Sequence, residues 1–234
     1  MTALVAEFTP LKKVLIIGAS GLTGQALLKE LSVDQTNTEI HLLLRQKLPT
    51  LTADNIYQHI IDFNNIQIFE YLFQCDVVFC CLGTTLRKAK TKENFKAIDI
   101  DLVKKCAQLA SGNSSKLIVV SALGANSNSW FFYNKCKGEM QNKVIEVCAS
   151  NQTQVLFCQP SLLTGERQEK RTAESFSAQI SQLLSFVWYG FMKRFKPISA
   201  QQLAKGMIVL AQRQTSDKVM FINNQTLHHL SKKH

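Results

Sequence analysis

Tyr133 and Lys137 stand four residues apart in FYNKCKGEM, a spacing that puts both on one face of a helix. An unperturbed tyrosine titrates near about 10. An ammonium beside it favours the phenolate and moves the phenol toward proton exchange near neutrality. Ser121 precedes them at the end of the apolar run KLIVV, where its hydroxyl can bond the oxygen that the tyrosine addresses. A carbonyl held by Ser121 and Tyr133 can accept a hydride while Tyr133 supplies the proton, with Lys137 reaching the ribose hydroxyls of a nicotinamide nucleotide. Taken alone, the pair is better explained by a packed ring and a solvated ammonium. What favours the chemistry is the rest of the chain.

The decisive stretch is LKKVLIIGASGLTGQALLKEL, Leu11 to Leu31. The apolar run Val14 to Ile17 leads at once into Gly18, Gly21 and Gly24. A helical pattern then places Leu22, Ala26, Leu27 and Leu31 on one side. A strand, a glycine turn and a helix in that order cradle a phosphate, because the helix N-terminus offers free N–H groups and a positive dipole end. The spacing is GxxGxxG rather than GxGxxG. Gly18 is expected to turn the chain off the strand, Gly21 to admit a pyrophosphate against the backbone, and Gly24 to let the helix pack on the sheet. Arg45 ends the next strand, Glu39 to Leu44, about 20 residues past the glycines. NAD sites usually place an acidic residue there, whereas an arginine receives a 2′-phosphate. NADP(H) is therefore the expected cofactor, the alternative for Arg45 being an ordinary solvated side chain.

Further along, Ile56 to Ile61 reads as a strand closing at Asp62-Phe63, and Ile66 to Phe73 as a short helix. Asp76 to Cys81 reads as a strand running into Leu82-Gly83-Thr84-Thr85. Lys92 to Ala110 is helical and stops at Ser111-Gly112-Asn113. Lys116 to Val120 is a strand, Tyr133 to Ala149 a long helix, and Gln154 to Cys158 a strand halted by Pro160. Such alternation predicts an α/β fold, a doubly wound parallel sheet of the Rossmann kind. Gly18, Arg45, Asp62, Gly83, Ser121 and Pro160 all follow strand ends, so they converge on the sheet edge where such folds bind ligands. Residues 1–10 read as a loosely held leader. From Ser161 the strand alternation fades and Arg171 to Phe195 reads as helix. A single domain over 1–234 is expected, with 161–197 as a small, mostly helical substrate region or lid.

The net charge of +10 is compatible with an anionic ligand, a nucleic acid or an acidic membrane surface. Lysine and arginine are scattered, however, and the runs Lys193-Arg194-Phe195-Lys196 and Lys232-Lys233 are short, so no nucleic-acid partner is expected. Seven cysteines occur without CxxC or histidine at ligand spacing, which predicts core thiols in a reducing compartment and no metal. The absence of a signal-peptide pattern adds the cytoplasm as the expected location. The apolar stretch Leu183 to Met192 is far short of the roughly 20 residues that cross a bilayer. The aromatic segment with Trp188, Tyr189, Phe191 and Phe195 is open to several uses: packing on the sheet, a substrate lid, a subunit contact or a membrane-surface helix. His228 and His229 read as surface residues.

GASGLTG, the segment FCCLGTTLRKAK at Phe79 to Lys90, Ser121 with YNKCKGEM, and QPSLLTGER at Gln159 to Arg167 together resemble the atypical short-chain dehydrogenase/reductases. The resemblance is to the family of the HIV Tat-interacting protein TIP30 and its bacterial oxidoreductase-like relatives, and it runs from about Val14 to Ile208. It implies a Rossmann fold with NADPH. Gly18, Ser20, Gly21, Leu22, Thr23 and Gly24 would bind the pyrophosphate and Arg45 the 2′-phosphate. Asp62 and Phe63 would flank the adenine, and Leu82, Gly83 and Thr84 the adenosine ribose side. Tyr133, Lys137 and Pro160 would face the nicotinamide. Two positions depart from the pattern. Asp99 stands where short-chain reductases often carry Asn, which bears on their proton-relay water, and Gln159-Pro160-Ser161 replaces Arg-Pro-Gly. The expected function is hydride transfer to a carbonyl-like small molecule with Tyr133 as proton donor. The alternative is an NADPH-sensing protein that acts through a protein partner without turnover.

Overall fold

The computed structural model describes residues 8–34, 38–49, 53–165 and 194–232. The first strand, β1 (Lys13–Ile17), is apolar because both its faces are covered. Val14 and Ile16 lie in one buried cluster, Leu15 and Ile17 in another. Asp76 pins its start, accepting the backbone N–H groups of Lys12 at 2.6 Å and Lys13 at 3.0 Å.

After β1 come α1 (Leu22–Asp34), β2 (Glu39–Leu44), β3 (Ile56–Ile60), a 3-10 helix (Phe63–Phe73) and β4 (Cys75–Cys80). The chain continues through α2 (Leu86–Ala89), α3 (Lys92–Lys96), a π-helical turn (Ala97–Leu102), α4 (Val103–Ala110), β5 (Ser114–Val120) and α5 (Phe132–Cys148). Beyond β6 (Gln154–Gln159) lie β7 (Leu163–Thr164), β8 (Ile198–Ser199), α6 (Ala200–Gln212), β9 (Val219–Asn223) and α7 (Asn224–Leu230). Among the described residues, seven strands form one parallel sheet in the order β3-β2-β1-β4-β5-β6-β9. Leu27 and Leu31 of α1, Leu203 and Met207 of α6, and Leu227 of α7 share one buried cluster with Ile16. Phe73, Phe95, Val103, Cys106, Met140 and Val144 share the other with Leu15. Helices therefore cover both faces. The strand order reverses between β1 and β4, and a crevice beyond their carboxyl ends follows from that reversal.

The strands up to β6 fall where the pattern of the sequence places them, and Cys80 and Cys81 join opposite clusters as alternation requires. Five features differ. The helix expected over Lys92–Ala110 is interrupted by the π-helical turn. The one expected at Ile66 is a 3-10 helix that begins at Phe63, where Asp62 caps it by accepting the Asn64 N–H at 3.0 Å. Strand structure persists past Ser161: β7 pairs with β8, and β9 adds an edge to the main sheet. β9 carries the apolar run Val219 to Ile222, which the sequence reading passed over; as an edge strand it buries only some of these side chains. The leader is tied down at its end, where Phe8 bridges to Arg213 and the Thr9 N–H bonds the Gln212 carbonyl at 2.9 Å. His228 is half-buried rather than on the surface, and burial lowers its pKa. The segment with Trp188, Tyr189, Phe191 and Lys193 lies outside the described residues, as does most of 161–197.

Candidate active site

Gly18 leaves β1 with φ +87°, a conformation that favours glycine, and a Cβ there would meet the Cys81 carbonyl oxygen at 2.7 Å. Gly24 sits in the first turn of α1 directly against this bend; its Cβ would lie 2.2 Å from the Gly18 oxygen. Gly21 faces open space apart from the Gly18 oxygen, 3.3 Å from where its Cβ would be. Two glycines thus make the turn and the third leaves room above it. The helix begins at Leu22, so the N–H groups of its first turn lack intrahelical acceptors. This cradle fits a pyrophosphate. Cys81 and Cys158, behind it, remain thiols: burial pushes Cys158 up to about 12 and Cys81 well above the usual range. Among the described residues no group of three or more His, Cys, Asp or Glu side chains could hold a metal.

A cleft of about 1090 Å³ opens from the cradle. Ser20, Gly21, Leu22 and Thr23 line one end, Leu82, Gly83 and Thr84 one wall, and Ser121, Tyr133, Lys137 and Pro160 the other. Residues that span most of the chain are brought together because each follows the carboxyl end of a parallel strand or starts the helix after it. Gly18 and Gly24 support the cradle from behind. Arg45 is exposed just past β2, and Asp62 and Phe63 follow β3, on the same sheet edge but outside the lining of this cleft. Asp62 is engaged in its helix cap, and Phe63 packs on the core. Leu86, Leu123, Leu162, Leu163 and Phe195 make much of the remaining lining apolar.

Ser121 is buried, and its Oγ accepts a hydrogen bond from Gln141 Nε2 at 2.7 Å. Tyr133 is half-exposed, with its ring edge-on to the buried Phe95 at 6.1 Å. Lys137 is buried, and its Nζ lies 2.8 Å from Oδ1 of Asp99, which is completely buried. The lone ammonium expected beside Tyr133 is therefore one half of an ion pair. Sequence reasoning noted Asp99 only as a departure and passed over Gln141. The signal for Gln141 was present: Tyr133, Lys137 and Gln141 repeat at four-residue steps and share a helix face.

A parallel sheet with this reversal, a glycine cradle at a helix N-terminus and a Ser/Tyr/Lys cleft define an NAD(P)-binding Rossmann protein of the short-chain dehydrogenase/reductase kind. The semialdehyde dehydrogenase NAD-binding domain family matches residues 13–104. Protein HTATIP2 of Rattus norvegicus is 38% identical over 167 residues, covering 70% of this chain and 67% of that protein. Protein FMP52, mitochondrial, of Candida albicans is 29% identical over 222 residues, 91% of this chain and 95% of that protein. Among solved structures, the UDP-N-acetylglucosamine 4-epimerase of Methanobrevibacter ruminantium in complex with UDP-N-acetylmuramic acid shares the fold at a TM-score of 0.67 and 16% identity, covering 92% of this chain and 77% of that one. MoeE5 in complex with UDP-glucose and NAD does so at 0.66 and 12%, over 90% and 75%. The chain belongs to the atypical short-chain dehydrogenase/reductases, in the TIP30 (HTATIP2) family.

Proposed function

We propose that this protein is an NADPH-dependent reductase of carbonyl-like small molecules. The observation that carries the reading is the single cleft in which the Gly18–Gly24 cradle meets Ser121, Tyr133 and Lys137. The first turn of α1 would hold the pyrophosphate, Arg45 the 2′-phosphate, and Lys137 the ribose hydroxyls next to the nicotinamide. When bound, the nicotinamide supplies the hydride. Ser121 donates a hydrogen bond to the carbonyl oxygen, since the bond it accepts from Gln141 uses one lone pair and leaves its proton free. Tyr133 Oη delivers the proton to that oxygen, and its exposed edge keeps it in reach of an entering substrate. Removing water around the carbonyl strengthens both contacts.

The test is a titration of the purified chain with NADPH and NADH, followed by nicotinamide oxidation across a panel of aldehydes and ketones. Tight NADPH binding with turnover on at least one carbonyl supports the reading; no binding of either nucleotide sinks it. A second reading, an NADPH sensor that acts through a protein partner, is favoured by Trp130 and Phe131. These aromatic side chains are fully and three-quarters exposed at the N-terminal end of α5. It predicts nucleotide binding without turnover. The free cysteines accord with a reducing compartment, and we place the protein in the cytoplasm, to be checked with a fluorescent fusion.

A further inference from the structure

Asp99 has a second arm. While Oδ1 contacts Lys137 Nζ, Oδ2 accepts the Thr84 backbone N–H at 2.8 Å. One carboxylate thereby joins α5 to the loop leaving β4, and both border the cleft. Gly83 brings this loop onto the pair: a Cβ there would lie 3.6 Å from Asp99 Oδ1 and 3.8 Å from Lys137 Nζ. The ammonium has three N–H donors, so its contact with Asp99 Oδ1 leaves others for a partner in the cleft. Asp99 itself sits in the π-helical turn, a local rewinding often found at functional sites. Charges this dry hold each other, because removing one leaves the other buried and uncompensated.

We propose that Asp99 is a positioning residue for nucleotide binding. It fixes the Lys137 ammonium at the cleft wall, where the nicotinamide ribose would lie, and locks to it the Leu82–Thr84 loop on the adenosine ribose side, so that the two contacts with the nucleotide are held as one unit. The inference rests on the nicotinamide-nucleotide reading above.

A double-mutant cycle in NADPH affinity tests it. Nucleotide is titrated by its fluorescence into the wild-type chain, Asp99→Asn, Lys137→Met and the double variant, each checked for folding by circular dichroism. Asparagine keeps an oxygen for the Thr84 N–H and removes only the charge. Each single change should weaken NADPH by about tenfold, and the double variant should bind no more weakly than Lys137→Met, the coupling expected of contacting groups. A loss from Asp99→Asn that adds in full on top of Lys137→Met, or no loss from it at all, overturns the inference. Should a single variant fail to fold, Asp99→Glu, which keeps the charge but shifts it by one methylene, decides: about tenfold weaker NADPH binding supports the inference and wild-type affinity overturns it. A wild-type chain that binds no nicotinamide nucleotide overturns the functional reading and this inference together. Wild-type binding with additive losses overturns this inference alone.

Discussion

Gln141 Nε2 donates a hydrogen bond to Ser121 Oγ at 2.7 Å, between two buried side chains. The bond occupies one lone pair of the hydroxyl and leaves its proton available to an acceptor in the cleft that Ser121 lines. Replacing Ser121 by alanine removes a donor to the carbonyl oxygen, and kcat/KM should fall by about 10²–10³ with NADPH affinity unchanged. Gln141→Met leaves the hydroxyl in place but free to rotate, and the loss should be about tenfold, the worth of one hydrogen bond. Steady-state rates on the best substrate of the carbonyl panel separate the two variants. Equal losses would mean that Gln141 does more than orient Ser121.

Tyr133→Phe deletes only the phenolic oxygen of a half-exposed ring whose contact with Phe95 persists. Turnover should drop by about 10²–10⁴, while the melting temperature and nucleotide affinity stay at wild-type values. Turnover that survives this change removes Tyr133 as the proton donor.

Arg45→Ala should weaken NADPH by about tenfold to a hundredfold, the range of hydrogen bonds between charged groups, and leave NADH unaffected. The ratio of the two dissociation constants is the readout. An unchanged ratio assigns the 2′-phosphate to another residue.

Gly24→Ala forces a methyl group to within 2.2 Å of the Gly18 oxygen and 2.7 Å of the Ala19 Cα. Backbone atoms cannot swing aside as a side chain would, so the cradle must open. Stability should fall by about 1–3 kcal/mol, the range for overpacking, and NADPH affinity should fall with it. Gly21→Ala, whose Cβ would meet only the Gly18 oxygen at 3.3 Å, should leave stability close to wild type. Thermal melts of the two variants, with and without NADPH, make the comparison.

His41 and His59 touch across β2 and β3, Nδ1 to Nε2 at 3.0 Å. Burial chiefly lowers both from the ordinary 6.5, and the charge of Lys13 adds to it; Glu39 pulls His41 the other way, but by less than burial. In the unfolded chain each regains its ordinary value. Between the lowered values and 6.5 the unfolded state therefore binds more protons, and stability is lost as the pH falls through that window. Above it the contribution is fully present. Urea midpoints should be lower at about pH 5.5 than at about pH 7.5, and His59→Gln should shrink the difference. A difference that persists in the variant places the acid sensitivity in other groups.

Local rules determined a great deal. The buried run Val14–Ile17, the glycines after it and the four-residue step from Tyr133 to Lys137 each depend on neighbours in sequence, so strand, turn and helix face were legible without coordinates. The parallel winding followed from alternation, and with it the convergence of strand ends on one edge. Tertiary structure decided what depends on partners far along the chain. Whether Lys137 is a free ammonium or half of an ion pair rests on Asp99, 38 positions away, and on a π-helical turn that apolar periodicity does not encode. The role of Gln141 needed the distance to Ser121, across the loop between β5 and α5. The run Val219 to Ile222 marks β9 as a strand in the sequence, but its place at the sheet edge needed the pairing with β6. Sequence sets the local conformations; burial and charge pairing between distant segments set what the site holds.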